Sequence, residues 1–322
     1  MAIPVTVAIT TYQSALFIIE TLESIYHQTY EDILLVISDD ASTDDTLALV
    51  YKWIALETNR KRFLGIEVIT VPENTGVAAN CNRMIAAAKS EWIKSIAGDD
   101  ILLPNCLADN MAFVSNNPDV SIVFSQVKTF QDTFEAKNYV RTTPLNFPDN
   151  LMHPDRSAKD QYALLLVTDR IHYTPSYFFN KQAVLKVGGY DESGRFIEDY
   201  PMWLKLTQSG ERLHYFHKPT VGYRIHSQAS NNVGTGVLFT PAVIKNFEMR
   251  KKMAHPFLPW EFAKSEHFVY LLSVFFKNIG WNKNKALYAG LYKLGSFYLN
   301  PFHYIYAIKK RMQSNRNNPF YL

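Results

Sequence analysis

With 322 residues, 47% of them hydrophobic and 14% aromatic, the chain is long enough for one large α/β domain or one domain with an extension. Its two cysteines, Cys81 and Cys106, exclude a disulfide framework, stand at no metal-ligand spacing and point to a reducing cytoplasm. The net charge of +3 hides an asymmetry: from Pro241 onward 13 Lys and Arg face 3 Asp and Glu, a net +10, whereas the first 240 residues are acidic at −7. A basic tail on an acidic body calls for an anionic surface as its partner. The first residues, Met1 to Val5, lack the basic and apolar regions of a secretory signal, and no run of about 18 uncharged apolar residues is present to span a membrane.

Val5 to Thr10 is a β-branched run with no polar face, the mark of a strand buried on both sides in a parallel sheet. From Leu16 to His27 the apolar residues Leu16, Ile19, Leu22, Ile25 and Tyr26 recur at helical spacing and predict a crossover helix. Ile33 to Ile37 is a second strand that closes on Asp39 and Asp40. Thr43 or Asp44 can cap the helix predicted from Thr46 to about Glu57, which leaves Asp39 and Asp40 over at the carboxyl end of a strand, where open α/β sheets bind ligands. A third strand, Ile66 to Val71, leads into the turn Pro72-Glu73-Asn74-Thr75-Gly76 and a helix from Val77 to Lys89. A fourth, Trp92 to Ile96, delivers Asp99 and Asp100. Two adjacent carboxylates are costly to desolvate and at a strand exit bind something positive, a phosphate-carrying divalent metal being the natural candidate; a helix cap ahead of Leu102-Leu103-Pro104 is the plainer alternative. Four alternations of strand and helix make a nucleotide-binding half, but Gly-x-Gly-x-x-Gly and the P-loop are both absent.

Thr10-Thr11-Tyr12, Asp39-Asp40-Ala41-Ser42-Thr43-Asp44, Asn74-Thr75-Gly76 and Gly98-Asp99-Asp100, in this order and at this spacing, resemble the family 2 glycosyltransferases with the GT-A fold. The resemblance covers residues 4 to about 230. It implies an α/β fold with a mostly parallel central sheet flanked by helices. Residues 1–240 would be catalytic, with 1–105 holding the nucleotide-sugar and 106–240 the acceptor; 241–322 would be a helical extension. It further implies that Thr10, Thr11, Tyr12, Asp39, Asp40, Asn74, Gly76 and Asp99 contact the nucleotide, and that Asp99 and Asp100 hold Mn²⁺ or Mg²⁺. The family's Asp-x-Asp-Asp is here Ala97-Gly98-Asp99-Asp100, so the first acid is missing and the choice of metal ligand between the last two stays open. Hard oxygen ligands suit either ion, and a nucleoside diphosphate needs its charge neutralised as it leaves.

In the second half, Val120 to Lys128 is predicted as a strand with Tyr173 to Phe179 as its partner, and Gln131 to Lys159 as a long polar loop over the site or a disordered insertion. Gly188-Gly189 ends a helix begun near Gln182. In Ile197-Glu198-Asp199-Tyr200-Pro201, Asp199 fits the N-cap of a helix running to Gln208. The resemblance gives it a sharper role, the general base of an inverting transfer. Val221 to Ser227 alternates as a strand, and the Tyr223-Arg224-x-His226 pattern resembles the family's closing segment, in which His226 would complete the metal site and Arg224 reach phosphate. Beyond Pro241 three aromatic helices run into Lys309-Lys310-Arg311. They suit a membrane interface, or else packing on the catalytic domain or on a second subunit in a homodimer.

The sequence therefore implies a cytoplasmic glycosyltransferase, peripheral at the inner face of the membrane. It would move a sugar from a nucleotide donor, with UDP the first choice, to a saccharide or lipid-linked saccharide of the O-antigen or capsule kind. A nucleotidyltransferase would show a basic Gly-rich loop after strand one, and a silent saccharide-binding scaffold would not need Asp40, Asp99, Asp100 and Asp199 together. A nucleic-acid role has no support, because the tail's aromatics sit in apolar helical patterns and do not interleave with its cations.

Overall fold

The computed structural model describes residues 3–148, 151–167, 171–193, 198–228, 236–239, 241–312 and 320. Ile197 of the Glu-Asp motif and most of the chain after Met312 lie outside the described residues. Two compact units emerge, Met1–Gln161 with Arg170–His226, and Tyr162–Asp169 with Ser227–Leu322. The units change over at 226/227, and the helix Ala158–Val167 contributes residues to both.

The first unit is built on a nine-stranded mixed sheet: β1 (Val5–Thr11), β2 (Ile33–Asp39), β3 (Gly65–Thr70), β4 (Trp92–Ala97), β5 (Ile101–Leu102), β6 (Ile122–Gln131), β7 (Tyr139–Thr143), β8 (Phe178–Asn180) and β9 (Leu213–Ile225). Their order is β3-β2-β1-β4-β8-β6-β9-β5, with β7 pairing on β6. β1 to β4 are mutually parallel and β6 runs parallel to β9, whereas β8, β7 and β5 pair antiparallel. Val5, Val7, Ala8 and Ile9 are all fully buried, as a central parallel strand covered on both faces requires. The first crossover helix spans Ile18–Tyr26 and buries Ile18, Leu22 and Ile25. It begins two residues later than the periodicity implies, because Leu16 points to solvent.

Two expectations for the second half change. β6 takes β9 as its long partner and touches β8 only at Ile122 and Val123, while Thr174–Ser176 forms a 3₁₀ turn. The reason is burial: Lys94, fully enclosed on β4, donates to the carbonyls of Ser95, Pro175 and Tyr177 at 3.0, 2.7 and 3.1 Å, so the segment's backbone groups go to an ammonium and not to a ladder. Enclosure lowers the Lys94 pKa to about 8. The expected loop Gln131–Lys159 contains β7, which folds back on β6 as a hairpin.

Phe124 and Tyr177 meet Trp203 edge to face at 5.1 and 5.3 Å, and Trp203 is 2% exposed. This aromatic core anchors the helix Asp199–Gln208, which carries Asp199 one turn before Trp203. Emptying a site of this size costs about 3–5 kcal/mol, so the helix start is firmly held.

In the second unit the helices Pro241–Met253, Trp260–Asn278, Ala286–Lys293 and Pro301–Met312 pack through ring contacts such as Phe247 on Tyr270 at 4.1 Å and Phe276 against Tyr292 at 5.4 Å. Arg250 pairs with Glu266 at 2.5 Å and donates to the Leu166 carbonyl.

Candidate active site

Register sets the floor of the site. Thr11 lies opposite Asp39, Thr10 opposite Ala97, and Asp39 opposite Thr70, so the carboxyl ends of β1, β2, β3 and β4 finish level. The loops after β1 and β2 are laced into one body. Asp40 N–H donates to the Thr11 carbonyl at 3.0 Å, Gln13 Oε1 accepts from the N–H groups of Thr43 and Asp44 at 3.0 Å, and Ala15 N–H reaches Asp44. Asp44 also accepts the Thr46 N–H at 3.1 Å, but the N-cap position of the helix falls on Asp45, so neither of the two expected residues is the cap. Gln13 and Ala41 adopt positive φ to make these turns.

The acids after β2 are both buried. Asp39 accepts from the Ser42 N–H and hydroxyl at 2.8 and 2.5 Å. Asp40 accepts from Thr75 N–H and Oγ1, from Gly76 N–H at 2.8 Å and from Arg83 at 2.7 Å. Burial would raise the Asp40 pKa, but these donors from Thr75, Arg83 and Gly76 outweigh it and hold the carboxyl below its usual value. Asp40 therefore ties the Asn74-Thr75-Gly76 turn to β2, and the surface left for a ligand there consists of exposed Tyr12 and Asn74 with half-buried Thr10 and Gly76. Gly76 itself has φ +93°, which a side chain would strain.

After β4, Gly98 N–H donates to the Thr10 carbonyl, and a Cβ at Gly98 would stand 2.9 Å from Thr11 Oγ1 and 3.1 Å from Ser14 Oγ. That close approach sets Asp99 beside the end of β1. Asp99 is half-buried, and its Oδ2 lies 3.1 Å from His226 Nε2. Asp100 turns inward. It is 3% exposed, accepts the Arg224 N–H at 2.9 Å, and is pushed well above the usual carboxylate range by burial and by the neighbouring Asp99 charge. Of the expected pair, Asp99 is the more open carboxylate and Asp100 the enclosed one.

Arg224 corrects another expectation. Its guanidinium is 2% exposed and donates to the carbonyls of Asp99 at 2.8 Å and Asp132 at 2.5 Å and to Glu20 at 2.6 Å, between the rings of Phe17 and Phe134. A guanidinium so enclosed is not placed to grip a phosphate; it braces the Asp99 loop. Glu20, Phe17, Asp132 and Phe134 carried no sequence signal for this role, because they come from two segments, near residues 17–20 and 132–134, far from Arg224 in the chain. Arg83 was missed for the same reason, although Asn80 three residues before it shares its helix face.

For a divalent cation the donor set is a carboxylate and an imidazole side by side, chemistry that suits Mn²⁺ and tolerates Mg²⁺. No group of three or more His, Cys, Asp or Glu that could hold a metal occurs among the described residues.

Asp199 stands in a second cluster. The helix starts at Asp199 itself, with Glu198 before it, so Asp199 is not the N-cap. Burial, then the adjacent Glu198 charge, pushes its carboxyl well above the usual range. The Tyr177 and Tyr190 hydroxyls lie 2.9 Å apart nearby, and both are raised in part by the Asp199 charge. Gly188 and Gly189 turn the chain at φ +79° and +67°, and Asn82 receives the Tyr190 N–H at 2.8 Å where a Cβ on Gly189 would intrude at 2.7 Å. A carboxylate that holds its proton more tightly than an ordinary aspartate is suited to take one from a hydroxyl.

Residues 6–186, more than half of the chain, match the model of the family described as Glycosyl transferase family 2. A UDP-Gal:alpha-D-GlcNAc-diphosphoundecaprenol beta-1,3-galactosyltransferase of Escherichia coli is 25% identical over 242 residues, 75% of this chain and 80% of its own. The O-antigen biosynthesis protein RfbC of Myxococcus xanthus is 25% identical over 225 residues, 70% of this chain but 16% of that longer protein. Among solved structures, S. aureus TarS in complex with UDP-GlcNAc superposes with a TM-score of 0.58 at 16% identity, covering 97% of this chain and 83% of that one. A mannosyltransferase of Pyrobaculum calidifontis, in complex with GDP-Man and Mn²⁺, reaches 0.50 at 19% identity over 98% and 76%. Likeness at these identities is one of fold, and it agrees with the GT-A architecture expected. The family match decides the rest: this chain belongs to glycosyl transferase family 2 and is a glycosyltransferase.

Proposed function

We propose that the enzyme transfers one sugar from a UDP-sugar to a saccharide acceptor with inversion at the anomeric carbon, assisted by Mn²⁺ or Mg²⁺. The acceptor is a lipid-linked saccharide in cell-surface polysaccharide assembly, met at the inner face of the membrane. The observation that carries this reading is the Asp99–His226 pair, 3.1 Å apart at the level carboxyl ends of the parallel strands. A UDP donor and a lipid-linked acceptor are supported by the activity of the Escherichia coli relative, and the metal by the Mn²⁺ in the Pyrobaculum calidifontis complex.

Each residue has a distinct task. Tyr12 and Thr10 face the nucleotide base, while Asp39 and Asp40 shape that pocket by fixing the Ser42 and Thr75–Gly76 backbones. Asp99 and His226 would hold the cation, with Arg224 bracing the Asp99 loop. A cation held there would supply charge neutralisation for the departing diphosphate. Asp199 takes the proton of the acceptor hydroxyl as its oxygen forms the bond to the anomeric carbon and the bond to the diphosphate oxygen breaks on the opposite face. The presence of Asp99, His226 and Asp199 together in one fold disfavours a silent scaffold.

Calorimetric titration with UDP, GDP, CDP and dTDP, each with Mn²⁺ and with EDTA, tests this. Metal-dependent binding of UDP above the others is the expected result. Equal binding in EDTA would remove the metal from the reading, and no binding by folded protein would remove the donor.

A further inference from the structure

Helices on a protein surface ordinarily turn polar residues outward. The second unit does the reverse three times. In Trp260–Asn278 the inward face carries Ser273 and Phe276, while Leu271 and Phe275, continued by Ile279, form an exposed stripe at a spacing of four. Ala286–Lys293 and the turn that follows expose Leu287, Leu291, Leu294 and Tyr298 at spacings of four, three and four. Pro301–Met312 packs inward through Phe302 on Trp260 and Tyr306 on Phe262, and exposes Tyr304, Ile308 and Met312, again four apart. None of these residues is among those that make the inward contacts, which are the buried Ser273 and Phe276 and the half-buried rings of Tyr292, Phe302 and Tyr306. Scattered exposed apolar residues need no explanation, but periodic outward stripes on three successive helices do.

The charges say what covers them. Between Trp260 and Met312 there are eight Lys and Arg and two acids, Glu261 and Glu266. Both acids are spent inside the unit, Glu261 on Lys309 at 3.0 Å and Glu266 on Arg250 and His255. Lys264, Lys277, Lys283, Lys285, Lys293 and Arg311 are exposed. A second copy brought against this face would set cation against cation, whereas an anionic lipid headgroup layer over acyl chains answers both the charge and the apolar stripes. No helix among the described residues is long and apolar enough to cross a membrane, so the contact is interfacial.

We infer that the outward stripes of these three helices are an interfacial membrane-binding surface selective for anionic lipid. This deepens the proposed encounter with a lipid-linked acceptor and names the surface that delivers the enzyme to it, but binding is read without donor or acceptor. The test is co-sedimentation of the full chain with vesicles of phosphatidylcholine alone and of equimolar phosphatidylcholine and phosphatidylglycerol, at low and high salt, with light scattering for oligomeric state. The protein is expected to bind the anionic vesicles, to bind neutral ones far more weakly, and to be released by salt. Two variants keep the fold because every altered side chain is exposed: Leu271→Ser/Phe275→Ser/Ile308→Ser, and Lys277→Glu/Lys293→Glu/Arg311→Glu. Each is expected to weaken partitioning at least about tenfold, since interfacial binding sums buried apolar area and headgroup attraction, with UDP affinity unchanged. Binding that ignores lipid charge, binding that neither variant weakens, or no binding at all overturns the inference. A dimer that the serine variant dissociates assigns the face to a second copy instead. Loss of UDP binding in the parent chain would strike the donor reading and leave this one standing.

Discussion

Asp199 has an environment that favours its protonated form, through desolvation and the charge of Glu198, and under the proposed function that raised proton affinity is what makes it the stronger base. Asp199→Asn is expected to lower turnover by about two or more orders of magnitude while UDP affinity stays within a few-fold. The stability sign is opposite. A carboxyl whose folded pKa lies above its unfolded value stabilises the fold at acid pH and loses that contribution as pH rises through the unfolded and then the folded value, so at neutral pH the Asn variant should melt no lower than the parent. Turnover needs the ionised form and should therefore rise with pH along a limb above the ordinary carboxylate range; Glu198→Gln removes the neighbouring charge and should move that limb to lower pH. A limb that stays put would detach Glu198 from the base. Arg224 makes a different case, because its fork meets three acceptors at once. Arg224→Lys keeps the charge and loses the fork, leaving at least one buried carbonyl unmet at about 1–3 kcal/mol. Lower thermal stability is expected together with weaker Mn²⁺-dependent UDP binding. A normal melting temperature with weakened binding would return Arg224 to direct phosphate contact.

At the scale of elements, the site depends on how closely the loop after β4 approaches the end of β1. Gly98 sits against Thr11 Oγ1 and Ser14 Oγ on short, largely buried side chains that have little room to yield. Gly98→Ala should push the loops apart and weaken UDP binding by about tenfold or more for a stability loss of about 1–3 kcal/mol, the usual range for overpacking. Thr11→Ala in the same chain should recover part of the affinity by removing the nearest atom. Absence of any rescue in calorimetry would mean that the contact does not set Asp99. The first four strands, the helices between them and the position of Asp99 were legible from hydrophobic period and punctuation, because a doubly covered parallel strand and its crossover helix are both local patterns. The partner of β6 was not legible, since an apolar run pairs equally well with any other, and Lys94 and its three carbonyls decided which segment stayed out of the ladder.

At the scale of the whole molecule, the two compact units share one helix. Ala158–Val167 starts in the first and ends in the second, where Leu165 and Leu166 are buried and the Leu166 carbonyl receives Arg250 at 2.7 Å. A chain ended after Gln228 would keep Leu165 and Leu166 but lose the helices that belong with them. It is expected to aggregate or melt well below the full chain in calorimetry, whereas a soluble fragment with parental UDP affinity would show that the second unit is dispensable for the first.

By itself the sequence determined the alternation of strand and helix, the family, the acids at the strand ends and the basic, aromatic character of the tail, because each is written in neighbouring residues. Only the tertiary structure decided what those acids do. Asp39 is spent on its own loop, Asp40 on the Thr75–Gly76 turn and Arg83, Asp100 is turned inward, Arg224 is a brace, and Asp99 is left beside His226. The physical reason is that a carboxylate's role is set by the groups that reach it. Apart from Ser42 on Asp39, those named here for Asp40, Asp99 and Asp100 come from residues 35 to 127 positions away.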